Sequence, residues 1–207
     1  MNDTRSHGTS SDYGDSYAQY QLKPRGALRA IVRQCYLHRL LSEVEGPALD
    51  VGCGTGELLS RLADGSLGLE VNEAAVAHCQ KIGLPVRLYD PDIDKYSFRS
   101  LHPGRFRTCV LSHVLEHMPD PAAALREIFS SCARLAIRRI VVVVPGRKGF
   151  AFDASHRIFV TEAYLKSNGL WPPDRFRVAK RYFFPGNFSW LGRFFTHHEM
   201  HVIYEAC

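Results

Sequence analysis

The sequence lacks several features, and each absence excludes a class of protein. It contains no run of about 18 apolar residues, which a membrane-spanning helix needs. Its six cysteines are scattered without a CxxC pair, which excludes a disulfide framework and a cysteine-rich zinc site. The first twenty residues lack the basic start and the apolar stretch of a secretory signal. We therefore expect a cytoplasmic protein with reduced thiols.

The composition is typical of a globular protein. The 207 residues, of which 45% are hydrophobic and 23% charged, are enough for one well-buried domain and few for two. We predict a flexible segment over residues 1–20, which are rich in serine, glycine and aspartate, and a single domain over residues 21–207. The net charge of +5 tolerates an anionic ligand but does not by itself indicate nucleic-acid binding.

Helix-like and strand-like segments alternate along the chain. Apolar residues at helical spacing predict a first helix over residues 27–43. Short apolar segments then predict strands at residues 48–51, 67–71, 85–89, 108–111 and 139–144. Further helices are predicted at residues 56–63, 73–81 and 121–135. This alternation predicts an α/β, Rossmann-like, doubly wound sheet.

The strand at residues 139–144 and the segments after it predict how the sheet ends. Ile140 and the four valines that follow it fit a strand buried on both faces, as in a parallel sheet. A helix at residues 161–167 is followed by two strands, at 176–184 and 200–205, with no helix between them. Such neighbours pair antiparallel. We therefore predict a seven-stranded, mostly parallel sheet with an antiparallel C-terminal strand.

The sharpest motif is a glycine-rich turn after the first strand, Asp50-Val51-Gly52-Cys53-Gly54-Thr55-Gly56-Glu57. Glycines there let the backbone turn tightly and approach a nucleotide-like ligand. A dinucleotide fingerprint would need glycine at position 57, where this chain has Glu57. Asp50 suits a cofactor that carries positive charge and would repel a pyrophosphate. These residues resemble the first motif of the class I S-adenosylmethionine-dependent methyltransferases, in which this loop wraps the amino-acid part of the cofactor.

Three further motifs follow in the order found in that family. Glu70 ends the second strand, where a carboxylate can accept hydrogen bonds from both ribose hydroxyls. Asp92-Ile93, with Asp90 as the second choice, resembles the acid-hydrophobic pair that meets adenine, although an Asx-rich turn is the alternative. The segment Ser112-His113-Val114-Leu115-Glu116-His117 resembles the family's motif after the fourth strand. The resemblance implies cofactor contacts from Asp50, Val51, Gly52, Cys53, Gly54, Glu70, Val71, Asp92, Ile93 and Ser112.

Histidines supply the candidate bases. In the resembled fold His113 and His117 lie where the fourth strand meets the active-site rim, so either can take a proton from an oxygen acceptor. His156 is a third candidate base. The alternatives are that His156 and Asp153 bind the acceptor as a pair, or that they hold the loop against the sheet by hydrogen bonds. His113 and His117 are four residues apart, but no third ligand at suitable spacing is evident, so no metal is predicted.

Taken with the resemblance, these motifs predict an enzyme that transfers a methyl group from S-adenosylmethionine to a small-molecule acceptor of anionic, sugar or natural-product type. The segment from Gly83 to Lys95 also resembles the MetW-type proteins of methionine biosynthesis, which implies a cofactor-binding partner protein without its own turnover. An NAD-dependent oxidoreductase is disfavoured by Asp50 and Glu57. RNA methylation is disfavoured because the length leaves no room for an RNA-binding module. The sequence leaves open whether the protein forms a homodimer.

Overall fold

The computed structural model describes residues 27–193 and 196–207, so the predicted flexible segment at 1–20 lies outside the described residues. The strands are β1 (Ala48–Val51), β2 (Leu67–Glu70), β3 (Val86–Leu88), β4 (Thr108–Ser112), β5 (Arg139–Pro145), β6 (Phe176–Phe184) and β7 (Glu199–Ala206). The helices are α1 (Ala27–Leu41), α2 (Glu73–Lys81), α3 (Pro91–Asp94), α4 (Pro121–Arg134), α5 (Arg147–Phe152) and α6 (Glu162–Ser167).

The seven strands form one sheet in the order β3-β2-β1-β4-β5-β7-β6. Strands β1 to β5 pair in parallel, and β7 is antiparallel to both β5 and β6. The prediction of a mostly parallel sheet with an antiparallel C-terminal strand is therefore confirmed. The strand order reverses between β1 and β4, and ligands of open α/β sheets bind outside the carboxyl ends of the strands at such a point.

Side-chain caps explain where the longer helices begin. Asn72 Oδ1 accepts a hydrogen bond from Ala75 N at 2.9 Å, which starts α2 directly after β2. Asp120 Oδ1 accepts from Ala123 N at 2.9 Å, and Pro121 occupies the first position of α4. These short capped connections return each helix to the sheet.

The helix predicted at residues 56–63 is wrong. The segment contains only a 3-10 turn, Leu59–Arg61. Gly56 has a φ of +81°, which starts the segment in the left-handed region and not in a helix. Conversely, two short helices were not predicted: α5, and α3, which begins at Pro91 where an Asx-rich turn was the alternative to the acid-hydrophobic pair.

Apolar side chains cover both faces of the sheet. One cluster packs α4 against it through residues such as Leu125 and Ile128. The other packs α1 against it through Leu37 and Leu40, with Val141 of β5 beneath them. The sheet is thus closed above and below, and its carboxyl edge is left for a ligand. No helix in residues 27–193 or 196–207 is both long and apolar enough to cross a bilayer.

Candidate functional site

The turn after β1 has a backbone shape that only glycine accommodates. Gly52 has a φ of +73°, and a Cβ added to it would lie 2.6 Å from Val114 Cγ2. Its N–H donates to Leu69 O at 2.7 Å, and that of Cys53 donates to the same oxygen at 3.2 Å. The Cys53 sulfur packs against Gly68, where an added Cβ would lie 2.5 Å from it. The predicted loop therefore turns tightly at the end of β1, with the Cys53 side chain directed toward the sheet.

Glu70 fixes this turn to the end of β2. Its Oε2 accepts from Gly54 N at 2.7 Å, and its Oε1 accepts from the N–H groups of Val71 and Asn72, both at 2.9 Å. The residue is buried. A carboxylate has about four lone-pair sites, so acceptor capacity remains for a hydroxyl ligand. Glu70 thus shapes the glycine turn and also presents an acidic edge to whatever the turn binds.

Asp50 is buried beside Glu70, and within residues 27–193 and 196–207 neither carboxylate has a cationic side chain within ion-pair distance. Asp50 is 2% exposed, and its Oδ2 has no hydrogen-bond partner among the described residues. Burial, and then the charge of Glu70, raise the pKa of the Asp50 carboxyl to about 7. A buried carboxylate with an unused oxygen favours a ligand that brings positive charge and hydrogen-bond donors. The residues therefore fit the α-ammonium group and the ribose of a sulfonium nucleoside.

The third motif forms a capped turn. Asp90 Oδ1 accepts from Asp92 N at 2.8 Å and from Ile93 N at 3.2 Å, which starts α3. Ile93 is 82% exposed, and Asp92 lies near Lys95. The Asx-type turn weighed from the sequence is present, and the contact with adenine stays a prediction. Exposed apolar surface at Ile93 is compatible with covering a flat ring.

His113, at the end of β4, is held between two carboxylates. Its Nδ1 lies 3.2 Å from Glu116 Oε1, and its Nε2 lies 3.1 Å from Glu199 Oε1. Burial opposes the positive charge, but Glu199 and Glu116 outweigh it and raise the pKa of His113 to about 10. Burial likewise opposes the charge of Glu199, yet His113 lowers the Glu199 pKa to about 2. At neutral pH, His113 is an imidazolium with both nitrogens donating.

His117 is in a different state, although it lies only four residues further along. Its Nδ1 lies 3.1 Å from Ser155 Oγ, and that hydroxyl donates to Asp153 Oδ1 at 2.6 Å. Because the hydroxyl has a single proton, Ser155 Oγ accepts from Nδ1–H, and the lone pair of His117 lies on Nε2. Burial, and also the neighbouring His156, lower the pKa of His117. His117 is therefore a neutral imidazole in a defined tautomer.

His156 completes a small cluster with His117 and Glu116. Its Nδ1 lies 2.9 Å from Phe150 O, and its ring centroid lies 4.7 Å from that of His117. Glu116 is fully buried, and its Oε2 has no partner among the described residues. One ligand atom from each of the three lies within 4.8 Å of the others, a geometry that can hold a metal ion. No metal was predicted from the sequence, where His113 and not His156 was weighed with His117.

Sequence reasoning missed three residues on the other side of His113. Tyr36 of α1 is hydrogen-bonded to Ser112, one of the predicted cofactor contacts. Glu199 and His201 are buried on β7, where Glu199 directly precedes the strand predicted at residues 200–205 and His201 lies within it. Their spacing of two residues places them on one face of a strand, which was the available signal. Glu199 and His201 become neighbours of His113 because β7 lies in the sheet beside β5.

Comparisons with known proteins identify the family of the chain. A family model described as a methyltransferase domain matches residues 25–173. The ubiquinone biosynthesis O-methyltransferase of Methylococcus capsulatus is 30% identical over 133 residues, which are 58% of this chain and 54% of that protein. The enzyme of the same name from Proteus mirabilis is 32% identical over 94 residues, 42% of this chain and 36% of that protein. The chain thus spans about half of these relatives or less.

Two solved structures share the fold. A SAM-dependent methyltransferase from Archaeoglobus fulgidus has a TM-score of 0.67 at 23% identity, covering 92% of this chain and 100% of the other. The magnesium protoporphyrin IX methyltransferase of Synechocystis, solved with bound SAM, has a TM-score of 0.64 at 14% identity, covering 99% and 100%. The predicted Rossmann-like fold is confirmed by these neighbours.

Proposed function

The chain belongs to the methyltransferase domain family, whose members take their methyl group from S-adenosylmethionine, and we propose that it methylates a hydroxyl oxygen of a small-molecule acceptor. The class I methyltransferase resemblance seen in the sequence is confirmed by this family. The observation that carries the proposal is the Asp153–Ser155–His117 chain of hydrogen bonds, which orients a neutral imidazole in the turn that follows β4. The curated relatives named above are O-methyltransferases.

The cofactor side of the site is formed by the turn after β1. We assign the α-ammonium group to Asp50 and the ribose hydroxyls to Glu70, because both carboxylates are buried and have acceptor capacity left. Val51, Gly52, Cys53 and Gly54 supply the backbone around them, and Val71, Asp92, Ile93 and Ser112 are assigned to the edges of the pocket. Bound there, S-adenosylmethionine supplies a methyl carbon activated by a sulfonium leaving group.

His117 is the proposed base. Methylation of a hydroxyl forms an oxygen–carbon bond, breaks the carbon–sulfur bond and releases the hydroxyl proton, which Nε2 of His117 accepts. Asp153 and Ser155 hold the ring in the tautomer that this step needs. His113 is already protonated and acts as a positioning residue, since it fixes Glu116 and Glu199. His156 packs against His117 and is assigned to orienting it.

The test is a methyl-transfer assay with labelled cofactor and a panel of small phenols, catechols and hydroxy acids. In His117→Gln we expect kcat to fall roughly a hundredfold, the low end for a general base, while the affinity for S-adenosylhomocysteine stays unchanged. His102→Gln, at an exposed histidine away from the site, is the matched control. Equal kcat in His117→Gln and wild type would refute the base.

A different result would support the MetW-type interpretation of a partner protein without turnover. In that case no acceptor in the panel consumes the cofactor, and a second protein copurifies with the chain. RNA as acceptor would appear as label in nucleic acid when total RNA is added. The cytoplasmic location, the single domain over residues 21–207 and the homodimer stay predictions.

A further inference from the structure

A cavity opens at the carboxyl end of β5, the strand next to β4. It encloses about 580 Å³ and lies between α5, the start of α6 and the β6–β7 connection. We call it the arginine pocket and define it by six lining residues: Arg147, Arg181, Arg193, Phe159, Phe183 and Trp190. None of these was predicted as a site residue. From the sequence, the mixture of arginines and aromatics that includes Arg181, Arg193, Phe183 and Trp190 was interpreted mainly as core and hairpin packing, with a planar or phosphorylated acceptor, a partner surface or RNA as alternatives.

The walls of the arginine pocket are aromatic. Phe159 and Phe183 are half-buried, and Phe183 stacks on His198 with ring centroids 5.1 Å apart. At the rim Trp190 is 57% exposed, and its ring lies 6.4 Å from that of Phe188, which is 62% exposed. Large exposed aromatic rings beside a cavity favour a ligand with a flat or extended apolar body.

Positive charge in the pocket exceeds negative charge. Arg181 pairs with Glu162 at 2.8 Å, so its charge is locally neutralised. Arg147 lies over the Phe159 ring, 5.5 Å from its centroid. Within residues 27–193 and 196–207, no carboxylate lies within ion-pair distance of Arg147 or Arg193. Two arginines without acidic partners beside aromatic walls match an anionic group attached to an apolar body.

The position of the pocket relates it to the transfer reaction. β1, β4 and β5 are parallel, so the glycine turn, His113 and Gly146 all lie at the carboxyl edge of the sheet. The end of β4 therefore separates the cofactor turn on one side from the arginine pocket on the other. This order along the edge is compatible with an acceptor and a methyl donor that meet at the end of β4.

We propose that the arginine pocket binds the acceptor through a carboxylate or phosphate group held by Arg147 and Arg193, with the acceptor's flat apolar body against Phe159, Phe183 and Trp190. This inference rests on the proposed function, because it names the class of acceptor for the same reaction. It excludes neutral polyols and uncharged phenols as the best acceptors.

The test uses 1-naphthyl phosphate as the probe, with 1-naphthol and inorganic phosphate as its two halves. Trp190 lies at the rim, so quenching of tryptophan fluorescence reports binding, with Trp190→Phe to assign the signal. We expect 1-naphthyl phosphate to bind at least about tenfold more tightly than either half, and its affinity to fall with added salt. Equal affinity for 1-naphthol and 1-naphthyl phosphate would overturn the proposal.

Variants locate the binding. We expect Arg147→Gln/Arg193→Gln to weaken 1-naphthyl phosphate roughly tenfold and to leave 1-naphthol unchanged. Arg87→Gln, at an exposed arginine on β3 at the far edge of the sheet, is the matched control. Wild-type affinity in the double variant would refute the role of the arginines.

Calorimetry with S-adenosylhomocysteine on the same proteins separates the two claims. Binding of S-adenosylhomocysteine without any binding of 1-naphthyl phosphate would overturn only the arginine pocket. Failure of S-adenosylhomocysteine to bind would overturn the proposed function, whatever the naphthyl compounds do.

Discussion

Two pairs of carboxylates lie at the carboxyl edge of the sheet, and they are in opposite electrostatic states. Asp50 and Glu70 lie near each other with no cationic partner among the described residues, and burial and then the charge of Glu70 raise the pKa of Asp50 to about 7. Glu116 and Glu199 enclose the imidazolium of His113, and the pKa of Glu199 is lowered to about 2. Tyr36 lies between the pairs, and burial and then Glu199 raise its pKa.

The difference separates a ligand site from a structural one. A carboxylate pair that holds its own cation is compensated within the fold, and it becomes destabilising only when the cation is removed. A pair without one has an unfavourable interaction that a cationic ligand relieves. The comparison therefore predicts that neutralising charge has opposite consequences in the two places, and the following changes test it.

The largest effect is expected from His113→Asn, which removes the cation and tolerates the φ of +58° at this position. Two buried carboxylates are left together, so the free energy of unfolding should fall by about 3 kcal/mol. Urea denaturation at neutral pH measures it, with His102→Asn as control. Adding Glu199→Gln to His113→Asn should recover part of the loss, and no recovery would show that the ion pair is not its cause.

Glu70→Gln comes next. Both carboxylate oxygens of Glu70 accept from backbone N–H groups, and glutamine would place an NH₂ donor against one of these donors. We therefore expect the free energy of unfolding to fall by about 2 kcal/mol. Weaker binding of S-adenosylhomocysteine should accompany it. Glu73→Gln, exposed on α2, is the control. A fully stable Glu70→Gln protein would contradict the role given to the three backbone hydrogen bonds.

Asp50→Asn should separate stability from binding. Because the folded-state pKa is raised, the Asp50 carboxyl lowers stability progressively as pH rises from about 4 to about 7, and the amide removes that penalty. The variant should be at least as stable as wild type at about pH 8, yet bind S-adenosylhomocysteine roughly tenfold more weakly. Asp64→Asn is the exposed control. If Asp50→Asn lost stability but kept its affinity for S-adenosylhomocysteine, the assignment of Asp50 to cofactor binding would be wrong.

The smallest effect is a pH dependence of cofactor affinity. Between about pH 6 and about pH 8, Asp50 in the free protein passes from mostly protonated to mostly ionised, and only the ionised form pairs with an ammonium group. The affinity for S-adenosylhomocysteine should therefore rise roughly fivefold over this range in wild type, and should stay flat in Asp50→Asn. A fall in wild-type affinity over the same range would contradict the ammonium contact.

The sequence predicted what local pattern determines. The alternation of apolar segments gave the strands of the parallel sheet, and the acid before Gly52 gave the character of the cofactor turn. It did not predict the short 3-10 turn after Gly56, because Gly56 has a positive φ and lies so close to Leu84 that an added Cβ would be 2.4 Å from Leu84 Cδ1, a tertiary contact that the local pattern does not show. Nor did it predict the contact of His113 with Glu199, which exists only because β7 pairs with β5.

The same reason explains why the candidate bases were not separated. The sequence motif does not distinguish His113 from His117, and their protonation differs in large part through partners from distant segments, Glu199 for His113 and His156 for His117. Partners so far along the chain leave no periodic signal at the histidines themselves.

The most direct measurement is calorimetric titration of the purified protein with S-adenosylhomocysteine and, separately, with NADH, in two buffers of different ionisation enthalpy at about pH 6.5. The account predicts saturable binding of S-adenosylhomocysteine, with release of a fraction of a proton as Asp50 ionises, and no binding of NADH. Heat from NADH together with none from S-adenosylhomocysteine would contradict it.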